Sequence, residues 1–139
     1  MRILLDTNII LDSLLARMPF FEDADRLFQA IRSGQIIGYV TATTLTDIFY
    51  IVKKQRNSQI GKQYVSDLLL TLEVCAVNQD ILKTALALNL DDFEDAVQLA
   101  CAMNENLDAI ITRDLQGFVN SPITILSPGE LLASLSELS

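Results

Sequence analysis

The sequence predicts an α/β fold: a three-layer sandwich in which a short parallel sheet of four or five strands lies between helices. Short apolar runs typical of strands buried on both faces alternate along the chain with segments of helical periodicity. The first such run ends on Asp6 and passes directly into a helical pattern, as a parallel sheet often begins. The 139 residues contain no repeat, linker or low-complexity segment, so we expect a single domain over residues 1–139.

Five segments have the composition of buried strands. In the first, Ile3, Leu4 and Leu5 lead up to Asp6. The second is β-branched and aromatic, and the last follows Pro122. We place the strands at residues 2–5, 36–41, 74–77, 109–112 and 123–126.

Seven segments have helical periodicity, and several begin at a recognisable cap. Thr7 or Asn8 can cap the first helix, and Thr43 or Thr44 the third. The segment Ser127-Pro128-Gly129-Glu130 is a capping box with proline at the first helical position. We place the helices at residues 7–15, 20–31, 43–54, 60–72, 80–88, 91–103 and 128–138.

The composition excludes several kinds of site. The chain has no histidine, which excludes His-based catalytic triads and most zinc sites. No run approaches the ~20 apolar residues of a membrane-spanning helix, and the N-terminus lacks the pattern of a signal peptide. Cys75 and Cys101 lie in apolar stretches, so we interpret both as buried thiols of a cytoplasmic protein.

Four aspartates occupy equivalent places near the ends of predicted strands. Asp6 ends the first strand, and Asp47 lies about one turn into the helix after the second. Asp95 lies near the start of the sixth helix, with Asp92 three residues earlier on the same face, and Asp114 follows the fourth strand. Because the carboxyl ends of parallel strands meet at one edge of a sheet, these side chains can converge there.

A cluster of this kind restricts the chemistry. Two carboxylates ~6 Å apart repel by about 3 kcal/mol at an effective dielectric constant of ~20. Four carboxylates therefore cannot all stay ionised without a cation. Oxygen ligands favour Mg²⁺ or Mn²⁺, which can activate water and stabilise the leaving oxygen of a phosphodiester. The cluster therefore predicts metal-assisted phosphodiester hydrolysis. A bound cation would also offset, locally, a net charge of −8 that is otherwise unfavourable for binding nucleic acid.

Each of these acids also has a purely structural interpretation. The acidic run at residues 91–95 suits the positive end of a helix dipole, and Asp114 suits a turn. Asp47 taken alone is more often a polar first-turn residue than a ligand. Asp6 is harder to explain in this way, because a carboxylate at the tip of a buried strand is costly unless it is paired or metal-bound. The four positions together are the stronger indication of a site.

Three segments together resemble the PIN domain family. They are Leu5-Asp6-Thr7-Asn8, Asp92-Phe93-Glu94-Asp95-Ala96 and Ile111-Thr112-Arg113-Asp114-Leu115. The resemblance covers essentially the whole chain, and it implies a metal-dependent endoribonuclease, many members being the toxins of bacterial VapBC-type toxin–antitoxin pairs. It further implies that Asp6, Asp95 and Asp114 bind Mg²⁺ or Mn²⁺, and that Asn8 and Thr112 support the site with hydrogen bonds.

The sequence departs from the family pattern at Asp47, where members more often have glutamate. Asp47 or Asp92 would then complete the metal shell. The resemblance also implies a homodimer and a small antitoxin protein that places a basic side chain in the acidic pocket. The alternative is a PIN-like module that binds nucleic acid or protein without cleaving, which the departure at Asp47 and the acidic surface motivate.

Few basic residues are available to contact RNA. Four of them lie within ten positions of one another: Lys53, Lys54, Arg56 and Lys62. They form either a solvated helix end or a contact with RNA. Arg113, beside Asp114, is the better candidate for binding phosphate or for pairing within the acidic cluster. No aromatic platform for stacking bases is visible, and the sequence preference of a substrate is not predictable.

Overall fold

Five parallel strands form one sheet in the computed structural model of the protein, which describes residues 1–137. The strands are β1 (Arg2–Leu5), β2 (Ile37–Thr41), β3 (Glu73–Cys75), β4 (Ala109–Ile111) and β5 (Thr124–Leu126). Their order across the sheet is β3-β2-β1-β4-β5, with β1 at the centre. The predicted α/β fold with a short parallel sheet is therefore confirmed.

The helices connect these strands as crossovers and cover both faces. They are α1 (Thr7–Leu14), α2 (Phe21–Arg32), α3 (Ala42–Gln55), α4 (Ser58–Thr71), α5 (Gln79–Leu88), α6 (Phe93–Asn104) and α7 (Pro128–Glu137), with a 3-10 helix at Leu115–Phe118. The predicted end of the last helix at Leu138 lies outside the described residues. None of the helices within residues 1–137 is long and apolar enough to cross a membrane.

Several boundaries differ by one or two residues from the sequence prediction, and two of these differences have a clear cause. The third helix begins at Ala42, because Thr41 at the end of β2 accepts a hydrogen bond from the amide of Thr44 and so caps the helix itself. The third strand is Glu73–Cys75, one residue earlier at its start and two shorter at its end. It ends early because Cys75 is the last residue paired with β2, and Asn78 then caps α5.

The strand β1 separates two apolar cores because its side chains alternate between the two faces of the sheet. Ile3 and Leu5 pack with residues of α1, α2, α3, α4 and α7, whereas Leu4 packs with residues of α5 and α6. All three side chains are completely buried. The two cysteines, Cys75 and Cys101, are buried and free, which confirms their interpretation as buried thiols.

The strand order creates a crevice at the carboxyl end of β1. From β1 the chain runs through β2 to β3 on one side, then returns to build β4 and β5 on the other. Connections that leave neighbouring strands in opposite directions open a cleft between them, where ligands of parallel sheets bind. Leu5 is in register with Ile111, and the amide of Asp6 donates to the carbonyl of Ile111 over 3.0 Å. The segments after β1 and β4 therefore start side by side.

An ion pair between a buried carboxylate and a partly exposed guanidinium joins α1 to the segment after β4. The carboxylate of Asp12 is completely buried, and the Nε of Arg113 lies 2.8 Å from its Oδ2. The Nη2 of Arg113 donates to the other carboxylate oxygen over 3.2 Å, and the guanidinium stacks 3.9 Å from the centre of the Phe20 ring. Burial raises the pKa of Asp12, and Arg113 opposes that rise. The pair fixes the backbone immediately before Asp114.

We expect Arg113→Met to lower the free energy of unfolding by about 3–5 kcal/mol near pH 8, because it leaves the Asp12 charge buried. Since the folded state holds the Asp12 proton more tightly than the unfolded chain does, the loss should shrink as the pH falls toward ~4. Urea unfolding at both pH values measures this loss. Arg17→Met is the control, because Arg17 lies 3.8 Å from the same carboxylate and is the weaker partner. Equal losses in the two variants at pH 8 would contradict the assignment.

Candidate active site

The carboxylate of Asp6 is fixed by three hydrogen bonds from three parts of the fold. The amide of Thr7 donates to Oδ1 over 2.7 Å, so that Asp6 caps α1. The side-chain amide of Gln98, on α6, donates to the same oxygen over 3.0 Å, and the hydroxyl of Thr112, after β4, donates to Oδ2 over 2.7 Å. Hydrogen bonds to a carboxylate from buried groups are strong and directional. Asp6 therefore has one defined orientation at the tip of the central strand.

An acidic pocket of about 470 Å³ lies above the carboxyl end of β1. Its wall contains six carboxyl groups, from Asp6, Asp47, Asp92, Glu94, Asp95 and Asp114. Thr7, Asn8, Leu11, Tyr50, Ile51 and Gln98 complete the lining. The structure thus brings together all the aspartates that the sequence analysis selected. We refer to this cavity as the acidic pocket.

The carboxylates of Asp95 and Asp114 face each other across Gly117. A Cβ atom built on Gly117 would lie 2.7 Å from Oδ2 of Asp95 and 3.0 Å from Oδ2 of Asp114. The other oxygen of Asp114 accepts a hydrogen bond from the Gly117 amide over 3.2 Å, and the Asp114 amide donates to Thr112 over 3.0 Å. The absence of a side chain at position 117 leaves room for these two carboxylate oxygens to lie close together.

The crowding of carboxyl groups changes their protonation. Burial, and then the charges of Asp92, Asp6 and Asp114, raise the pKa of Asp95 to about 7. The pKa of Glu94 rises to about 8, chiefly through a hydrogen bond shared with Asp47 and through burial. Without a cation the acidic pocket therefore retains protons near neutral pH. A bound cation would displace them, so its affinity should increase with pH.

The donor set fits a hard divalent cation. The carboxylate groups of the acidic pocket offer only oxygen atoms as metal ligands. The cleft beside Gly117 holds two of these oxygens without a side chain between them. Oε1 of Gln98 is buried and has no hydrogen-bond partner in the described structure, although its amide nitrogen binds Asp6. Within residues 1–137 no three acidic side chains already form a complete metal-binding group. Water would have to supply ligands, as Mg²⁺ usually retains several.

Two polar residues that contact the predicted acids of the pocket, Glu94 and Gln98, were not selected from the sequence. Glu94 appeared only as part of an acidic helix start, but it faces Asp47 across the pocket. Gln98 is 1% exposed in the middle of the apolar run from Ala96 to Ala102. A buried polar residue within an apolar helix is unusual, and that signal could have identified Gln98. Glu94 lies one turn before Gln98, so the pair shares a helix face.

Other predicted residues lie outside the acidic cluster or have different partners. Asn8 lines the acidic pocket, and its side-chain oxygen accepts a 3.3 Å hydrogen bond from Arg17. Arg113 pairs with the buried Asp12, which the sequence analysis did not select. Lys53 and Lys54 are exposed in the last turn of α3. Asp92 uses one carboxylate oxygen to cap α6 through the amide of Asp95, over 3.0 Å.

We expect Gly117→Ala to weaken Mn²⁺ binding at least tenfold while the fold stays intact. The added Cβ would push apart the carboxylates of Asp95 and Asp114 without changing the charge of the acidic pocket. Isothermal titration with Mn²⁺ measures the affinity, and thermal unfolding in EDTA measures stability.

The matched control is Gly129→Ala, since a Cβ there would lie 3.3 Å from the carboxylate of Asp23, away from the acidic pocket. Unchanged Mn²⁺ affinity in Gly117→Ala would exclude the cleft between Asp95 and Asp114 as part of a metal site.

Comparison with known proteins places this architecture in a family. A family model for the PIN domain matches residues 2–116. None of the curated proteins matches the sequence. Among solved structures, a toxin–antitoxin complex from Klebsiella pneumoniae has 26% sequence identity and a TM-score of 0.68, covering 90% of this chain and 96% of that chain.

Two further structures show the same fold at lower identity. VapBC from Salmonella typhimurium, solved bound to DNA, has 18% identity and a TM-score of 0.70, covering 92% of this chain and 98% of that chain. VapC20 of Mycobacterium tuberculosis, described as a sarcin-ricin loop cleaving toxin, has 15% identity and a TM-score of 0.64, covering 78% of this chain and 86% of that chain. The family match extends over most of the sequence and includes every residue of the acidic pocket. The chain therefore belongs to the PIN domain family.

Proposed function

We propose that this PIN domain protein is a metal-dependent endoribonuclease that hydrolyses RNA phosphodiester bonds in the acidic pocket. The observation that carries the proposal is the convergence of six carboxyl groups on one pocket at the carboxyl end of the central strand. A protein gains no stability from this arrangement, because like charges repel. Family membership supports a nuclease, since PIN domains are generally nucleases.

The residues of the acidic pocket have two proposed roles: some hold a cation, and others orient the side chains that hold it. Asp6, Asp95 and Asp114 would hold Mg²⁺ or Mn²⁺, with Asp47 or Asp92 completing the shell. When bound, such a cation activates water and stabilises the leaving oxygen of the phosphodiester. Thr112 contributes twice, because its hydroxyl donates to Asp6 and accepts from the amide of Asp114. Gln98 fixes the other oxygen of Asp6 from the opposite side.

The contact between Asp47 and Glu94 offers a physical reason why aspartate is sufficient at position 47. The shorter side chain of Asp47 is met by Glu94 from α6, and the two carboxyl groups share a hydrogen bond. Together these two carboxyl groups supply the acidic surface that a single, longer glutamate on α3 would otherwise have to supply alone. Lys53 and Lys54, at the far end of α3, are proposed contacts for RNA more distant from the cleaved bond.

We expect the purified protein to cleave RNA in Mn²⁺ and to lose this activity in EDTA. Asp6→Asn and Asp114→Asn should each reduce cleavage by at least a hundredfold, because each removes a proposed metal ligand. Gel analysis of structured and unstructured RNA measures the rates. Asp67→Asn is the charge-matched control, because Asp67 is exposed on α4, far from the residues of the acidic pocket in the chain, and its carboxylate accepts a hydrogen bond from Gln63.

Cleavage that survives both substitutions would refute the proposed site. Failure of the wild-type protein to cleave any RNA, with RNA or protein binding intact, would favour the alternative of a PIN domain that acts by binding alone. Mn²⁺ titration of Asp47→Ala then decides whether Asp47 belongs to the metal shell.

We further propose that the protein is the toxin of a toxin–antitoxin pair. The Klebsiella structure is a toxin–antitoxin complex, and the Salmonella structure is a VapBC assembly. An acidic pocket suits inhibition by a small protein that inserts a basic side chain, since Arg forms bidentate hydrogen bonds with carboxylates. A homodimer is proposed by analogy with the family.

We expect expression of the chain alone to arrest bacterial growth, and co-expression of a small protein encoded beside it to restore growth. Asp6→Asn should abolish the arrest because it inactivates the proposed nuclease. Growth curves after induction measure both effects. Normal growth on expression of the active, folded wild-type chain would rule out a toxin role without affecting the nuclease assignment.

A further inference from the structure

We propose that a second cavity beside the acidic pocket binds an adenine base of the RNA nucleotide next to the cleaved phosphodiester. We call it the amide cavity, after the side chains of Asn89, Gln116 and Asn120 in its wall. This inference rests on the proposed nuclease function. It adds a substrate specificity that nothing in the family match assigns.

The amide cavity and the acidic pocket share one wall. The shared residues are Asp92, Asp95 and Asp114, with the acidic pocket on one side and a cavity of about 550 Å³ on the other. The α5–α6 connection and the segment after the 3-10 helix form the remaining walls. An RNA strand whose phosphate lies at Asp95 and Asp114 therefore has a space immediately beside it.

Four acids line part of the amide cavity: Asp91 and the three shared residues Asp92, Asp95 and Asp114. The rest of the lining is apolar or carries side-chain amides, and that part suits an uncharged ligand with a polar edge. Leu88, Leu90, Leu99, Val119 and Pro122 provide apolar surface. No Lys or Arg lines it among the residues that the structure describes, so it is unsuited to a phosphate group. Binding pockets for small molecules combine apolar walls with a few placed polar groups in this way.

The three amides are available to a ligand. In the part of the chain that the structure describes, the side chains of Asn89, Gln116 and Asn120 form no hydrogen bond with the protein, and all three residues are exposed. A side-chain amide offers both a donor and an acceptor, and Asn or Gln pairs in a bidentate manner with N6 and N7 of adenine. RNA-binding proteins read unpaired bases by such edge contacts.

The backbone that carries these amides has a defined shape. Asn89 ends α5 with a left-handed backbone at φ 54°, and Asn120 is also left-handed at φ 61°. The loop after Asn120 is held by Ser121, whose amide donates to the carbonyl of Phe118 and whose hydroxyl donates to that of Ile123. Phe118 itself is buried. The backbone that carries Asn89 and Asn120 therefore has a defined conformation at both positions.

The first test uses a ligand without phosphate. Adenosine is neutral, so the acidic pocket does not repel it, and saturation-transfer NMR in EDTA detects weak binding without a metal. We expect a signal for adenosine that is stronger than that for uridine. The double variant Gln116→Ala/Asn120→Gly should abolish the preference. Glycine replaces Asn120 because it accepts the left-handed backbone.

The second test measures cleavage of oligonucleotides that differ in the base beside the cut. We expect the wild type to prefer adenine there, and the double variant to lose the preference with about a tenfold fall in kcat/KM on the adenine substrate. Its Mn²⁺ affinity should stay unchanged. Asn106→Gly is the matched control, since Asn106 also has a left-handed backbone, at φ 54°, but lies outside both cavities.

The outcomes separate the two proposals. Adenosine binding that the double variant loses, in a protein that cleaves no RNA, would support the amide cavity and refute the nuclease. RNA cleavage with identical base preference in the wild type and the double variant would refute the amide cavity and leave the nuclease intact. No difference between adenosine and uridine in the NMR experiment would also overturn the adenine assignment.

Discussion

Mutual repulsion among carboxyl groups at one edge of the sheet is the constraint on which this structure depends. Asp6, Asp95 and Asp114 come from three separate parts of the chain, and only a parallel sheet with β1 at its centre brings them together. Burial, and then the charges of Asp92, Asp6 and Asp114, raise the pKa of Asp95 to about 7, so the arrangement opposes ionisation. Such strain persists where the surrounding fold over-determines the positions of the groups.

Within residues 1–137, buried Asp12 and the crowded acids of the acidic pocket are compensated in opposite ways. Asp12 is neutralised within the protein, because Arg113 contacts both of its carboxylate oxygens and stacks on Phe20. The acidic pocket has no such internal partner among the residues that line it. The first arrangement therefore closes the fold, whereas the second lacks an internal counter-charge, as the proposed metal site requires. Arg113 and Asp114, although adjacent in sequence, belong to these two different arrangements.

The hydrogen bonds around Asp6 explain how the repulsion is contained. Thr112 and Gln98 hold the two oxygens of Asp6 from opposite sides, and both residues are almost completely buried. Hydrogen bonds in a low-dielectric surrounding are strong, so the orientation of Asp6 does not depend on a cation. Glu94 and Asp95, whose pKa values rise to about 8 and about 7, lie on the first turn of α6. The proposed metal site therefore combines a fixed central carboxylate with neighbours that exchange protons near neutral pH.

The sequence by itself determined the order and type of the elements and the parallel sheet, because strand and helix periodicities are local properties of the chain. It also selected Asp6, Asp47 and Asp114, which follow the ends of strands, and Asp95, which lies near the start of a helix. All four line the acidic pocket. The sequence missed Glu94 and Gln98, because the packing of α6 on the sheet decides which of its side chains face the acidic pocket. The partner of Arg113 was likewise decided only by the tertiary structure, since Asp12 lies 101 positions away in sequence. Side-chain direction and long-range pairing follow from packing, and no local pattern in one sequence records them.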